Sequence, residues 1–335
     1  MTKGTNGLSL ELVSLLKSLN LPDSRTSLHT DVLPSLLGSI ADIGKALRSA
    51  NVSLAGSANT FGDDQLNVDV LAEKVLRDAI AKCPAIVAAS SEEDPIERPA
   101  RQGETPSESR RAEQYTVAFD PLDGSSIIAP NWSVGTIIGI WDGPSALSQD
   151  PATKQVGSIL GVYGPRTTAV VALRIPNVPD VCFEVRLGED SSARCEVVRP
   201  EVRLSLPPFK TRYFAPANLR AAAEDVQYMN LITKFVQEKY TLRYSGGLIP
   251  DVVHALVKGH GIYISPVTKA SDAKLRRLYE LCPVALVVEC AGGQAIDPAD
   301  GKRILDRNVS NCDERAGLVC GTTGEVDVVK DALRR

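Results

Sequence analysis

Five apolar segments of strand length follow one another between residues 115 and 187, and helical patterns lie on both sides of them. The segments are YTVAF, VGTIIGIW, VGSILGVY, TTAVVALRI and VCFEVRL. Two leucine-rich helical patterns precede them, the second formed by Leu33, Leu36, Leu37, Ile40, Ile43 and Leu47, and a third helix is predicted after Asn67. Near 217–238, 249–257 and 272–281, further helical patterns alternate with short strands. This order predicts helices layered against sheets, an α+β or α/β fold.

A break in the pattern at SLPPFK, residues 205–210, suggests where the chain divides. With 335 residues, of which 43% are hydrophobic, the chain can bury a sizeable core and exceeds the usual length of a single domain. We therefore expect an N-terminal α+β half, residues 1–205, and a C-terminal α/β half, residues 206–335.

Composition excludes several classes of function. A formal net charge of -4 without basic runs argues against a nucleic-acid-binding protein. No apolar segment is long enough to span a bilayer, and the polar start MTKGTNG lacks a secretory apolar core. Seven cysteines without CxxC spacing predict reduced, mostly buried thiols. We expect a cytoplasmic protein, with a plastid as the alternative if a transit peptide has been removed.

Acidic residues stand at the ends of two predicted strands. Glu92 and Glu93 follow the strand AIVAA, and Asp120 and Asp123 follow the strand YTVAF. The ends of strands are where the sites of α/β proteins are usually built. Carboxylates brought together there repel one another and resist ionising unless a cation lies between them. Because neither motif contains His or Cys, the ligands are oxygens only, which suits a hard ion such as Mg²⁺.

The residues after Asp123 fit an anion held beside that ion. Gly124 lets the backbone come close, and Gly124, Ser125 and Ser126 offer N–H groups and hydroxyls. Taken alone, DPLDG equally fits a strand followed by an Asx-type turn, and SSEED fits a solvent-exposed acidic corner. The presence of both motifs at strand ends favours a metal on one side and a phosphate on the other.

The two acidic motifs belong to an ordered series of segments that resembles the sugar bisphosphatases of the Mg-dependent, lithium-sensitive phosphatase superfamily. From about Leu33 onward the series is NTFGDDQLNVDVLAE, SEED, DPLDGSS, VGTIIGIW, VYGPRTT, KYTLRYSGGLIPDV, KLRRLYE and ECAGG. The resemblance implies a layered α-β-α-β-α sugar phosphatase fold, a sugar bisphosphate substrate, and a homodimer, with a homotetramer as the alternative assembly.

The resemblance also implies which residues hold the metal and activate water. The metal ligands would be Glu92, Asp120, the carbonyl of Leu122, Asp123 and Glu280. Asp69 and Glu93 match the pair that positions and deprotonates the attacking water. Two or three Mg²⁺ ions per subunit would neutralise the phosphate oxygens and stabilise the leaving alkoxide. Taken singly, Asp69 could instead lie on an exposed helix face, and Glu280 on a surface helix.

Substrate-binding residues follow from the same match. Asp123, Gly124, Ser125 and Ser126 would surround the leaving phosphate, Lys274 and Arg276 would reach it and the sugar, Asn218, Arg243 and Tyr244 would bind the far phosphate, and Gly246 would meet sugar hydroxyls. Arg276 and Arg277 fit a solvent-exposed helix face equally well.

Within the family, NTFGDDQL, YGPRTT and EKYTLRYSGGLIPDV resemble the branch that acts on a seven-carbon sugar. Ala221 and Ser265 stand where fructose bisphosphatases usually carry tyrosines, so smaller side chains would leave room for a longer sugar. The expected reaction is hydrolysis of the 1-phosphate of sedoheptulose 1,7-bisphosphate. Fructose-1,6-bisphosphatase activity, alone or in addition, is the enzymatic alternative, and a catalytically inactive scaffold is the non-enzymatic one.

Two regulatory features of related enzymes are missing. Val52 and Ser57 stand where plant-type relatives carry a regulatory cysteine pair, and the N-terminal AMP-binding pattern of the fructose enzymes is not recognisable. We expect activity that responds neither to dithiol reduction nor to AMP.

Overall fold

The computed structural model describes residues 10–19, 21–58, 64–101, 103, 113–188, 195–268 and 271–333. The segment NTFGD, 59–63, which contributes to the family resemblance, lies outside these residues. The described helices are α1 Leu10–Ser18, α2 Leu33–Ser49, α3 Asn67–Lys82, α4 Pro151–Lys154, α5 Val226–Gln237, α6 Leu248–Lys258, α7 Cys282–Cys290 and α8 Thr323–Leu333. None of the helices in this part of the chain has the length and apolarity needed to cross a membrane.

The N-terminal half contributes a two-stranded ribbon and a large sheet. The ribbon pairs β1 Leu54–Ala58 with β2 Asp64–Leu66. The large sheet contains β3 Ile86–Ser91, β4 Arg98–Pro99, β5 Tyr115–Asp123, β6 Val134–Asp142, β7 Gln155–Tyr163, β8 Thr167–Leu173, β9 Val181–Leu187 and β10 Cys195–Arg199. Its strand order is β10-β9-β8-β7-β6-β5-β3-β4, and all neighbours are antiparallel except β3 and β5. The five strands expected between residues 115 and 187 are confirmed.

The C-terminal half contributes a smaller sheet and a second ribbon. The sheet contains β11 Tyr213–Pro216, β12 Thr241–Leu242, β13 Ile262–Ser265, β15 Gln294–Ile296 and β17 Leu318–Gly321, in the order β12-β11-β13-β17-β15. The ribbon pairs β14 Leu275–Arg276 with β16 Arg315–Ala316.

Three apolar cores hold five layers together, and the middle core lies on both sides of α6 and α7. Helices α1 to α3 cover one face of the large sheet, α6 and α7 lie between the two sheets, and α5 and α8 cover the outer face of the smaller sheet. Side chains of β6 alternate between the first two cores, since Ile138 and Ile140 enter one while Ile137 and Trp141 enter the other. The layered α-β-α-β-α fold is therefore confirmed.

The middle core joins the two halves of the chain. It contains Ile137 and Leu160 from the large sheet together with Val252 of α6 and Leu286 of α7. The N-terminal sheet thus has one face covered by C-terminal helices. The boundary between residues 205 and 206 stays a prediction.

Two of the expected helices differ from the structure. The pattern at 217–238 forms a short 3₁₀ turn, Leu219–Ala223, followed by α5. The pattern at 272–281 forms β14 and a π-helical turn, Arg277–Leu281, and the α-helix begins only at Cys282. Pairing of β14 with β16 holds Arg276 in an extended conformation, and both Arg276 and Arg277 are buried. The alternative of a solvent-exposed helix face for these two arginines is wrong.

Candidate active site

The DPLD motif lies inside a strand rather than after one. β5 continues through Asp123 and is buried along its whole length, so the prediction that the strand ends at Phe119 is wrong. The strand accommodates Pro121 because the register with β6 is irregular between Asp120 and Asp123. The Asp120 and Asp123 side chains are only 4% and 8% exposed. The strand therefore carries two carboxyl groups into the interior.

A third carboxylate joins them from the π-helical turn. Oxygens of Asp120, Asp123 and Glu280, the acidic cluster, all lie within 4.8 Å of one another. Glu280 is buried, so the alternative of a surface helix residue is wrong. Burial raises the pKa of all three carboxyl groups, and neighbouring negative charges raise the pKa values further. Three such groups stay ionised only beside a cation, and their all-oxygen donor set fits a hard divalent ion.

Glu92 and Arg276 flank the acidic cluster. The Arg276 guanidinium forms an ion pair with Glu92, and the Arg276 backbone N–H donates a hydrogen bond to the Glu280 carboxylate. The negative charge of Glu92 contributes to the raised pKa of Asp120 and of Glu280. The structure thus places Glu92 beside the cluster, as the sequence predicts, and fixes Arg276 against two of the predicted ligands.

Asp69 and Glu93 are a second pair of partly or wholly buried acids. Asp69 accepts the backbone N–H of Leu66 through Oδ2 at 2.8 Å, while within the described residues its buried Oδ1 has no hydrogen-bond partner. Gln65 donates a hydrogen bond to Glu93. Burial raises the pKa of Asp69 to about 6 and that of Glu93 to about 7, and the charge of Asp69 adds to the second shift. Asp69 does not lie on an exposed helix face.

Asp123 also links the cluster to the C-terminal half. Its carboxylate accepts the backbone N–H groups of Leu248 at 3.2 Å and Ile249 at 2.7 Å, at the start of α6. The first N–H groups of a helix have no partner inside the helix and favour a negative charge. Sequence reasoning missed this contact, because the residues are more than one hundred positions apart and no local pattern announces it.

The turn after Asp123 has the backbone geometry that the sequence suggests. Gly124 adopts a left-handed conformation with φ of 85°, and Ser125 begins a 3₁₀ turn, Ser125–Ile127. A Cβ at position 124 would lie 3.4 Å from the Cα of Gly247. Glycine is therefore favoured at position 124 both by the backbone angle and by the nearby loop.

A cavity of about 530 Å³ opens beside this turn. This distal cavity extends from Ser126 to the 3₁₀ turn after Asn218, the loop before α6, the end of β13 and residues 272–275. Five of the predicted substrate-binding residues line it: Ser126, Asn218, Tyr244, Gly246 and Lys274. The structure also adds lining residues that sequence reasoning did not single out, among them Arg220, Tyr263 and Asp272.

Two predicted residues lie elsewhere. The guanidinium of Arg243 lies 5.7 Å from the centre of the Tyr213 ring and donates a hydrogen bond to the Leu242 carbonyl, outside the lining of the distal cavity. Ala221 is fully buried in the outer core, the apolar cluster between the smaller sheet and helices α5 and α8, whereas Ser265 lines the cavity. Of the two small residues, only Ser265 lines the cavity, and the expectation that both leave room for a longer sugar stays a prediction.

The comparisons with known proteins agree with this fold. The N-terminal domain family of fructose-1,6-bisphosphatase matches residues 13–189, and its C-terminal domain family matches residues 207–334. The chloroplastic sedoheptulose-1,7-bisphosphatase of Spinacia oleracea is 37% identical over 288 residues, which are 85% of this chain and 68% of that protein. The class 1 fructose-1,6-bisphosphatase of Syntrophotalea carbinolica is 33% identical over 311 residues, 89% of this chain and 88% of that protein.

Solved structures extend the comparison. A candidate sedoheptulose-1,7-bisphosphatase from Toxoplasma gondii, 33% identical, matches 96% of this chain and 97% of its own with a TM-score of 0.82. Fold, site and relatives together define a phosphoric monoester hydrolase that acts on sugar bisphosphates. The chain belongs to the fructose-1,6-bisphosphatase family.

Proposed function

We propose that this enzyme hydrolyses the 1-phosphate of sedoheptulose 1,7-bisphosphate to give sedoheptulose 7-phosphate and inorganic phosphate. The observation that carries the proposal is the ranking of relatives. Three chloroplastic sedoheptulose-1,7-bisphosphatases are each 37% identical to this chain, whereas five class 1 fructose-1,6-bisphosphatases are 31 to 33% identical. The small side chain of Ser265 in the distal cavity supports the longer substrate.

The proposed cofactor is Mg²⁺, with about two or three ions per subunit. The ligands would be the acidic cluster with Glu92 and the Leu122 carbonyl; buried oxygen donors and raised pKa values support this set. When bound, Mg²⁺ would neutralise the phosphate oxygens and the charge that develops on the leaving oxygen.

In the proposed mechanism, the chain's own residues position water and substrate. Asp69 and Glu93 orient the attacking water and accept its proton; the buried, unpartnered Oδ1 of Asp69 within the described residues supports this role. Asp123 and the turn from Gly124 to Ser126 surround the leaving phosphate, and the N–H groups and hydroxyls of the turn bind it.

The remaining predicted residues would bind the sugar and its second phosphate. Asn218 and Tyr244 would bind the far phosphate, Gly246 would offer its backbone to the sugar, and Lys274 would supply a positive charge; all four line the distal cavity. Arg276, buried against Glu92, would act from the metal side of the substrate. Arg243 keeps its proposed role at the far phosphate only on the strength of the family resemblance.

The second candidate is fructose-1,6-bisphosphatase, because the class 1 enzymes are matched over a larger share of their own length, 88% for the Syntrophotalea carbinolica protein. Measurement of kcat/KM for both bisphosphates, with and without Mg²⁺, separates the candidates. A higher value for the seven-carbon substrate supports the proposal, and a higher value for the six-carbon substrate overturns it. No release of phosphate from either would indicate a catalytically inactive scaffold.

Assembly, compartment and domain division are further parts of the proposal. The family resemblance supports a homodimer, with a homotetramer as the alternative. The seven cysteines are all free, which supports a reducing compartment such as the cytoplasm. Chloroplastic relatives make a plastid the alternative. A boundary at residues 205 and 206 agrees with the gap between the two domain matches.

A further inference from the structure

Arg220 is a basic residue of the distal cavity that the family motifs do not include. It lies in the 3₁₀ turn Leu219–Ala223, two positions after Asn218, and its side chain is exposed and lines the cavity. Across the part of the chain that the structure describes, no hydrogen bond or ion pair engages its guanidinium. Burial raises the pKa of the Tyr244 phenol, and the positive charge of Arg220 opposes that rise, so the two groups lie within electrostatic reach of each other.

Arg220 determines the sign of charge in the cavity. Among the described lining residues, the charged ones are Arg220, Asp272 and Lys274. The charges of Asp272 and Lys274 offset each other, so Arg220 gives the described lining its net positive charge. A phosphate monoester carries a charge of about -1.5 to -2 near pH 7 and needs such a surplus to bind.

The other predicted arginines do not supply this charge from within the chain. Arg276 is 3% exposed and paired with Glu92, and Arg243 lies over the Tyr213 ring. Neither lines the distal cavity. Among the described lining residues, Arg220 is therefore the cation that can join Lys274 in binding a second phosphate.

The backbone that carries Arg220 is anchored on both sides. Asn218 donates a hydrogen bond to the Pro266 carbonyl at 2.8 Å and accepts one from Ser271 at 2.8 Å. On the other side, Ala221 and Ala222 are packed in the outer core. A fixed backbone limits the conformational entropy that the side chain loses when it binds a ligand.

We propose that Arg220 binds the phosphate remote from the scissile bond and so selects sugars that carry two phosphates. The planar guanidinium can donate two parallel N–H bonds to phosphate oxygens, which a lysine cannot reproduce. The assignment of a seven-carbon substrate rests on the proposed function; the role of Arg220 rests on the cavity alone.

The test compares substrates with and without the remote phosphate. Arg220→Ala and Arg220→Lys are assayed on sedoheptulose 1,7-bisphosphate and on sedoheptulose 1-phosphate, with saturating Mg²⁺. The matched control is Arg186→Ala, an exposed arginine paired with Glu196 on the far side of the large sheet. For Arg220→Ala we expect kcat/KM on the bisphosphate to fall about 10- to 100-fold, with an intermediate loss for Arg220→Lys. On the monophosphate we expect less than about a 2-fold change, because the lost contact is absent there.

Inhibition by sedoheptulose 7-phosphate is a second measurement. Because this product carries the remote phosphate, it should inhibit Arg220→Ala more weakly than it inhibits the unmodified enzyme. Equal losses on both substrates, or an unchanged kcat/KM on the bisphosphate, would overturn the role of Arg220. The same pair of assays with fructose 1,6-bisphosphate and fructose 1-phosphate separates this inference from the proposed function. Suppose that the enzyme prefers the six-carbon substrate, and that Arg220→Ala lowers kcat/KM for fructose 1,6-bisphosphate but not for fructose 1-phosphate. The proposed substrate is then wrong, and the role of Arg220 stands.

Discussion

The carboxylates of the acidic cluster differ in what holds them. Asp120 accepts a hydrogen bond from the backbone N–H of Leu122 at 2.9 Å, whereas Asp123 accepts two from the first residues of α6. Both groups are buried, and burial raises both pKa values. Replacement by asparagine removes the same charge at either position, but asparagine can still accept the one N–H group at position 120 and not both N–H groups at position 123. The two variants should therefore lose activity alike and differ in stability.

Asp120→Asn should lose activity while the protein stays folded. Removing one negative ligand weakens Mg²⁺ binding and the stabilisation of transition-state charge, so we expect kcat/KM to fall by about 100-fold or more. Without Mg²⁺, the melting temperature should be unchanged or higher, because a buried carboxyl among like charges is replaced by a neutral amide. Asp42→Asn, at an exposed carboxylate of α2, is the control. Near-normal turnover at saturating Mg²⁺ would disprove the metal assignment.

Asp123→Asn should lose both activity and stability. Asparagine keeps only one oxygen, so one of the two N–H groups of Leu248 and Ile249 would face an NH₂ group without an acceptor. A buried donor left without a partner costs about 1 to 3 kcal/mol. Urea denaturation without metal should therefore show a lower free energy of unfolding for this variant than for Asp120→Asn. Equal stability of the two variants would show that the contact with α6 contributes nothing.

At the residue scale, the sequence predicts the chemistry of the site better than its surroundings. The motifs SEED and DPLD identify carboxylates because residue type is a local property, although the strand that carries DPLD extends through Asp123. The burial of Glu280 depends on the pairing of β14 with β16, and the distance of Arg243 from the cavity depends on its contact with Tyr213. Such contacts join segments far apart in sequence. For Arg220, the sequence offers only a weak indication of a binding role, namely a basic residue two positions after Asn218.

At the scale of elements, close packing of α6 on β6 positions the start of α6 beside Asp123. A Cβ at Gly135 of β6 would lie 2.6 Å from the Cβ of Ile249 and 2.9 Å from the carbonyl oxygen of Gly161. Neither of these neighbours is the flexible end of a side chain. Any residue larger than glycine at position 135 must therefore displace α6 or the adjacent strand.

Gly135→Ala should accordingly destabilise the protein by about 1 to 3 kcal/mol, the usual cost of overpacking a core. Activity should fall with it, because Ile249 carries one of the N–H groups that bind Asp123. The matched control is Gly38→Ala in α2, where a Cβ meets nothing within 4 Å. That change should stabilise the protein by up to about 1 kcal/mol, since alanine favours a helix interior. Chemical denaturation of both variants measures the two free energies; effects of the same sign would contradict the prediction.

Element prediction succeeded where periodicity decides structure and failed where distant partners do. The stripe of leucines and isoleucines predicts α2 correctly, and the helix after Asn67 is α3. The segment 272–281 has a helical pattern but carries Arg277, which is buried in an ion pair with Asp297 at 3.0 Å. Its backbone N–H donates to the Glu314 carbonyl. These partners follow later in the chain, so the local pattern could not reveal an extended segment and a π-helical turn.

At the scale of the whole molecule, charged contacts hold the N-terminal segment against the large sheet. Arg25 donates two hydrogen bonds to Asp142, at 2.5 and 2.6 Å, and Glu113 accepts the backbone N–H groups of Ser27 and Leu28 at 3.0 and 3.3 Å. N–H groups at the start of a helical segment commonly bind a phosphate, and here a carboxylate of the chain occupies them. The sequence also lacks a recognisable AMP-binding pattern near its N-terminus.

AMP should therefore not inhibit the enzyme. We expect initial rates at a substrate concentration near KM to be unchanged when AMP is added in large excess, because the N-terminal AMP-binding pattern of the fructose enzymes is not recognisable in this sequence. Saturable inhibition of the unmodified enzyme by AMP would contradict the prediction.

The distribution of thiols through the molecule bears on redox control. All seven cysteines are free and buried. Burial raises the pKa of Cys182, Cys195 and Cys282 to about 12, so little of each is the reactive thiolate at neutral pH. The positions of the regulatory pair in plant-type relatives hold Val52 and Ser57. The structure therefore offers neither an exposed pair nor an activated thiol among the described residues.

Activity should consequently be the same, within about 2-fold, after treatment with a mild oxidant and after reduction by a dithiol, because a disulfide switch needs two accessible thiols whose Cα atoms come within about 7 Å. The measurement is kcat/KM for the preferred bisphosphate in both states, with free thiols counted in parallel under native conditions. A chloroplastic relative with the cysteine pair, assayed beside it, shows that the treatment works. A large and reversible rise of activity on reduction would contradict this prediction and would mean that buried thiols become accessible to the oxidant. Cys312→Ser would then test the most exposed of the seven cysteines, which is 8% exposed.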